Sequence, residues 1–265
     1  KGQPLPNRPV PFLAIPTTAG TGAEVTRNAV LGSPEHGVKA SLRSPWMLPS
    51  LAIVDPTLSL GLPPFLSAST GLDALTQLIA PLVCAKANPL TDAFCREGIP
   101  LVARSLRRVC QTPTDLDART DMALASLLSG LALANAGLGA VHGFAAPIGG
   151  RFPAPHRGAC AALLPHAMRA NLDALRRRRP DSPALERYRK AATLLTGNRA
   201  ARAEDGLEWV EALCRDLEIP PLAHWGIAAE DAPALAAQAA ESNSMKANPI
   251  LLTPAELEAL LLAAV

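Results

Sequence analysis

Two histidines, His142 and His156, stand in the stretch GAVHGFAAPIGGRFPAPHRGA at 139–159, among glycines, prolines and alanines, in a chain with only five histidines. An imidazole is a proton carrier near neutral pH or a metal ligand. An anionic oxygen that could join them comes from STGLDALTQLI at 69–79. There Leu72, Leu75, Leu78, Ile79 and Leu82 form one helical face, while Asp73 and Gln77, four residues apart, share the opposite one. The other residues of that second face are Thr76, Ala80 and Pro81, with no Lys or Glu, so it is expected to be covered by another element or to line a cleft. One carboxylate and two imidazoles make a hard-to-borderline donor set suited to Fe²⁺ or Zn²⁺. Each histidine alone also reads as an ordinary hydrogen-bonded core or loop residue, and the wide separation of the three gives no spacing test. His156 and Cys160, four apart at an apparent helix start, would suit zinc, but no second cysteine lies nearby, and that reading is set aside. His36, His166 and His224 fall in loop-like or helix-end settings and are given no role.

A second candidate is IPTTAGTG at 15–22, directly after an apolar strand. Small residues let a backbone approach a ligand, and the hydroxyls of Thr17, Thr18 and Thr21 with free N–H groups can hold phosphate or ribose oxygens. The stretch lacks the spacing of a dinucleotide-binding or P-loop fingerprint. A strand-to-helix turn with threonine caps explains the pattern equally simply.

The elements that must position these residues divide in two. From Pro11 to about Pro56 four short runs, FLAIP, VTRNAVL, VKASL and SLAIVDP, read as strands of a sheet. After Pro63-Pro64 the text turns to long Ala/Leu-rich segments of helical spacing. The expected fold is therefore a partial α/β unit over 1–64 followed by an all-helical domain over 65–265. Four strands with hardly a covering helix would expose apolar faces, so an upstream segment is expected to complete the first unit. Residues 122–150 carry no Lys, Arg, Asp or Glu, a length that would span a bilayer, but the breaks at Gly130, Gly137, Gly139, Gly143 and Pro147, with Asn135 and His142, favour a helix buried in protein. Arg176 to Arg179 read as a solvated helix end.

The 25 basic and 23 acidic residues leave a formal charge of +2, too weak and mixed for a nucleic-acid or membrane-surface partner, and point to a small-molecule or protein partner. Cys84, Cys95, Cys110, Cys160 and Cys214 are odd in number and unpaired in spacing, which argues for a reducing, cytoplasmic compartment.

Taken together, IPTTAGTGAEVT, VDPTLSLGLPP, TGLDALTQLI, NPLTDAFCREGI, the 139–159 stretch running on into ACAALLP, and SNSMKANPILLT make the chain resemble the iron-containing alcohol dehydrogenases, a group that includes maleylacetate reductases and glycerol dehydrogenases. The resemblance runs from Pro11 almost to the C-terminus. It implies an α/β NAD(P)-binding domain followed by an all-α metal-binding domain, the dehydroquinate synthase-like fold, with the metal in the cleft between. It maps the metal ligands onto Asp73, Gln77, His142 and His156, and cofactor contacts onto Thr17, Thr18, Thr21 and Lys39. The sequence departs from the pattern at Gln77, where the family usually has histidine and a neutral amide is the weaker donor. It departs again at Ala146, where many members have a histidine near the nicotinamide. The family's Gly-Gly-Gly-Ser pyrophosphate loop is expected upstream of this sequence.

The activity implied is hydride transfer between NAD or NADP and an alcohol, aldehyde or keto acid whose oxygen is polarised by Fe²⁺ or Zn²⁺ at Asp73, His142 and His156. A homodimer is expected. A second reading is a maleylacetate reductase-like enzyme in which Arg151 or Arg157 grips a dicarboxylate. A third is a catalytically inactive metal-binding or oligomerisation remnant.

Overall fold

The structure, a computed structural model, describes residues 7–33, 35 and 38–265. Strands are confined to its beginning. β1 (Leu13–Ala14) pairs in parallel with β4 (Leu51–Ala52), while β2 (Asn28–Ser33) pairs antiparallel with β3 (Val38–Arg43). The expected single sheet of four strands is thus two separate two-stranded sheets. The reason is connectivity: β2 and β3 close on each other as a hairpin, and the two-residue strands on either side of it meet without them. His36 lies outside the described residues, as does the side chain of Lys39, whose backbone belongs to β3.

Helices begin at Pro64. In order they are α1 (Pro64–Val83), α2 (Pro89–Gln111), α3 (Leu116–Asn135), α4 (Ala140–Arg151), α5 (His156–Arg178), α6 (Pro183–Thr196), α7 (Ala203–Asp216), α8 (Ala232–Ala240) and α9 (Pro254–Ala264). Proline at the first turn sets φ for a helix without losing a needed N–H, and α1, α2, α6 and α9 all start this way. In α2 and α9 a reciprocal pair, Asn88 with Thr91 and Thr253 with Glu256, satisfies further end groups.

α1 is the axis of the bundle. From Ser67 to Val83 all its residues but Ala80 are buried, so both its faces are covered, as the bare second face around Asp73 required. α2, α3, α5 and α6 pack around it, and α4 lies against α5 and α8. The uncharged run at 122–150 is shared by α3 and α4, which meet at a bend of 96°, and no single helix among the described residues is long and apolar enough to cross a membrane. The basic run closes the end of α5 with ion pairs: Arg176 to Glu204, and Arg177 and Arg178 to Glu256 at 2.9 and 2.8 Å.

The 15–22 segment is fastened to this bundle by backbone-to-backbone contact. Gly22 takes a φ of 57°. A Cβ at Gly130 of α3 would stand 2.3 Å from the Gly22 carbonyl oxygen, and one at Gly20 would stand 2.9 Å from Thr70 Cβ on α1. The small residues that looked made for ligand approach are needed first for this packing.

A Gly130→Ala substitution therefore has no flexible side chain to displace. It is expected to cost about 1–3 kcal/mol, the range for overpacking, seen as a lower urea midpoint with unchanged slope.

Candidate metal centre

Asp73 sits mid-helix in α1 with no exposed surface, and neither of its carboxylate oxygens receives a hydrogen bond. Burying a carboxylate without partners is costly, and such atoms are few in native proteins. Among the described residues, the buried side-chain atoms lacking a partner are both Asp73 oxygens and His142 Nδ1, all at one spot.

Two further helices bring the other donors there. His142 lies in the first turn of α4, whose start is held by Asn248: its Oδ1 accepts the Ala140 N–H at 3.0 Å, and its Nδ2 donates to Asn171 Oδ1 at 2.6 Å and to the Ile250 carbonyl at 2.8 Å. Gly139 is obligatory beside it, since a Cβ would stand 2.6 Å from that Oδ1. His156 opens α5, and Cys160 follows one turn later on the same face. Gly158 between them lets Trp225 close over this turn, with 2.8 Å to where a Cβ would be.

The result is a four-residue cluster. His142 Nε2 stands 3.4 Å from Asp73 Oδ1. Cys160 Sγ lies 3.9 Å from His142 Nε2 and 3.7 Å from His156 Nε2. One donor atom from each of Asp73, His142, His156 and Cys160 lies within 4.8 Å of the others. Burial pushes the Asp73 carboxyl up, but the close His142 and the positive charge of His142, His156 and Arg157 outweigh it and hold the group below the usual carboxylate range. Burial and the Asp73 carboxylate push the Cys160 thiol well above its usual range, so it keeps its proton until a cation neutralises the site. A carboxylate without a hydrogen bond, two imidazoles and a sulfur within 4.8 Å of one another fit a divalent cation in chemistry and in spacing.

Gln77, one turn beyond Asp73, uses its amide nitrogen for a contact outside the cluster. Its Nε2 donates to the Gly20 carbonyl at 2.8 Å and lies 3.4 Å from Ser129 Oγ. The amide therefore ties α1 and α3 to the 15–22 segment. Of the threonines there, Thr18 and Thr21 line an open groove of about 530 Å³ with Phe12, Ile15 and Met47, within the size range of ligand sites. Thr17 is exposed and is not part of that lining. Arg151 pairs with Asp231 at 3.8 Å and lies over the Phe152 ring, whereas the charge of Arg157 acts on Asp73. His166, given a helix-end setting above, lies well inside α5.

Two contributors escaped the sequence reading. Cys160 was set aside for want of a second cysteine, although its i, i+4 spacing to His156 was visible. Asn248, an asparagine before Pro249 in SNSMKANPILLT, carries no local signal of its capping role.

Comparison with known proteins places the chain in a family. The family model described as "Fe-containing alcohol dehydrogenase family, C-terminal" matches residues 67–265, and that described as "Iron-containing alcohol dehydrogenase" matches residues 1–56. The chain is 40% identical over 252 residues to 1,3-propanediol dehydrogenase of Klebsiella pneumoniae, covering 93% of this chain and 62% of that protein. It is 40% identical over 250 residues to lactaldehyde reductase of Escherichia coli K12, covering 92% and 63%. Its fold superposes on a crystal structure of 1,3-propanediol oxidoreductase with a TM-score of 0.90 at 38% identity, covering 98% of this chain and 68% of that one. The chain thus spans about 62% of the length of the curated relatives it matches.

Replacing Gln77 by leucine removes a donor from the buried Gly20 carbonyl while keeping the side-chain bulk. The expected cost is about 1–3 kcal/mol, measured by urea unfolding of the metal-free protein.

Proposed function

The chain belongs to the iron-containing alcohol dehydrogenase family, and from this premise we propose that the protein it comes from transfers hydride between NAD(P) and a small alcohol, aldehyde or keto acid. The observation that carries the proposal is the buried Asp73 carboxylate, without a hydrogen bond, facing His142 and His156. When bound, a divalent cation supplies Lewis acidity toward an alcohol or carbonyl oxygen, and the nicotinamide supplies the hydride acceptor or donor.

The chain's own residues have separable tasks. Asp73, His142 and His156 hold the cation, each on a different helix of a rigid bundle, which keeps their donor atoms at fixed separations. Asn248 orients His142 by capping α4. Thr18 and Thr21 offer hydroxyls to the groove in which the coenzyme is proposed to lie, and Lys39 is assigned to its ribose. The Gln77 bond to Gly20 joins that segment to the helix carrying Asp73, so coenzyme and cation are held in one frame. In this reading Gln77 is a clamp between cofactor segment and helix bundle, and residues 1–64 and 65–265 are the two working parts.

A narrower reading, reduction of a keto acid such as maleylacetate, is favoured by Arg157, whose charge already reaches Asp73. Arg151, paired with Asp231, is the less suited of the two arginines.

The deciding experiment is metal analysis of the purified protein in its full natural length, alongside NADH and NADPH oxidation with a panel of aldehydes and keto acids. Asp73→Asn and His142→Ala are each expected to lower activity by at least about 100-fold, several kcal/mol of lost charge stabilisation, with bound metal falling in parallel. Absence of hydride transfer with every substrate would overturn the enzyme reading in favour of an inactive metal-binding or oligomerisation unit. Arg157→Gln is expected to raise KM for keto acids while leaving KM for uncharged aldehydes unchanged; equal effects on both would defeat the dicarboxylate reading.

A further inference from the structure

We propose that Cys160, through its thiolate, is the fourth protein ligand of this cation site, completing an Asp-His-His-Cys set that prefers zinc to iron. The inference rests on the reading that Asp73, His142 and His156 hold a cation, and it concerns which residue joins them.

Three observations carry it. The first is distance. A tetrahedral centre with bonds of about 2.0–2.1 Å to nitrogen or oxygen and about 2.3 Å to sulfur places neighbouring N and O donors about 3.4 Å apart and N and S donors about 3.6 Å apart. The separations here are 3.4 Å for His142 Nε2 to Asp73 Oδ1, and 3.9 and 3.7 Å for Cys160 Sγ to the two imidazoles. These three separations lie within about 0.3 Å of the tetrahedral values, and the remaining donor pairs of the cluster lie within 4.8 Å. The second is the buried carboxylate: Asp73, with no exposed surface, has no hydrogen-bond partner for either oxygen, and its Oδ1 stands 3.4 Å from His142 Nε2. The third is that Gln77, the residue placed among the ligands by resemblance, is held at Nε2 by the Gly20 carbonyl, which leaves it only a neutral amide oxygen to offer, a weaker donor than a thiolate.

The charge balance is also favourable. On cation binding Cys160 releases its thiol proton to solvent, and the carboxylate and thiolate together cancel the two positive charges, which offsets the burial of the ion, while zinc can expand to five-coordinate to take a substrate oxygen. A thiolate is a softer donor than an amide oxygen, which moves preference from Fe²⁺ toward Zn²⁺ and its analogue Co²⁺. Cys160 is thus assigned to hold the cation, and Gln77 to hold the neighbouring segment.

The test is cobalt substitution. The metal-free protein is titrated with Co²⁺ and its absorption spectrum recorded, with the variants Cys160→Ser, Gln77→Leu and, as a control, Cys214→Ser, whose sulfur contacts the Ala161 carbonyl. The expected result is a near-ultraviolet sulfur-to-cobalt charge-transfer band in the wild type, Gln77→Leu and Cys214→Ser proteins and its loss in Cys160→Ser. The Cys160→Ser protein is also expected to bind Zn²⁺ at least about tenfold more weakly. Cobalt binding by the wild type without that band, abolished by His142→Ala, would overturn the cysteine assignment and leave the three-ligand reading standing. No cobalt binding by the wild type would overturn both. Because the wild-type spectrum decides the matter unaided, a poorly folding Cys160 variant does not weaken the test.

Discussion

A carboxylate without a partner in the middle of a buried helix is the constraint on which the rest of this structure turns. Asp73 is carried by α1, a helix covered on both faces, so no rotation of that helix can return the charge to water. The protein has two ways to tolerate it: positive charge nearby, or a cation. His142, His156 and Arg157 supply part of the first, and their arrangement with Cys160 suits the second.

That constraint accounts for details of the surrounding scaffold that packing alone leaves arbitrary. α4 is short and starts where Asn248 can cap it, which points the first-turn His142 toward α1. α5 starts at His156 itself, so the donors at its first and fifth residues share one face. Gly139 and Gly158 leave room for Asn248 and Trp225, the groups that hold these two helix starts. The same logic extends to the N-terminal segment, where Gly20, Gly22 and Gly130 permit a backbone contact that a single methyl group would break. The Gln77 amide then adds a directed bond to that contact.

In the proposed reading, tying the 15–22 segment to the helix that bears Asp73 has a functional consequence. Hydride transfer needs reacting atoms held close and aligned, and misplacement by about 1 Å can cost about 100-fold in rate. A clamp through a side chain one turn from Asp73 limits such drift.

The amino-acid sequence by itself determined the helical spacing of 64–265, the covered second face of α1 around Asp73, and the candidates Asp73, His142 and His156, because periodicity and residue chemistry are local properties. Its motifs also sufficed to identify the family. The pairing of the short N-terminal strands into two sheets instead of one, the commitment of Gln77 to Gly20, the capping role of Asn248 and the arrival of Cys160 beside two imidazoles were decided only by tertiary structure. Each depends on contacts between residues far apart in the chain: 57 positions for Gln77 and Gly20, and 108 for Ala140 and Asn248. Separations of that size leave no periodic trace, since what brings such residues together is the packing of whole helices and not the spacing within any one of them.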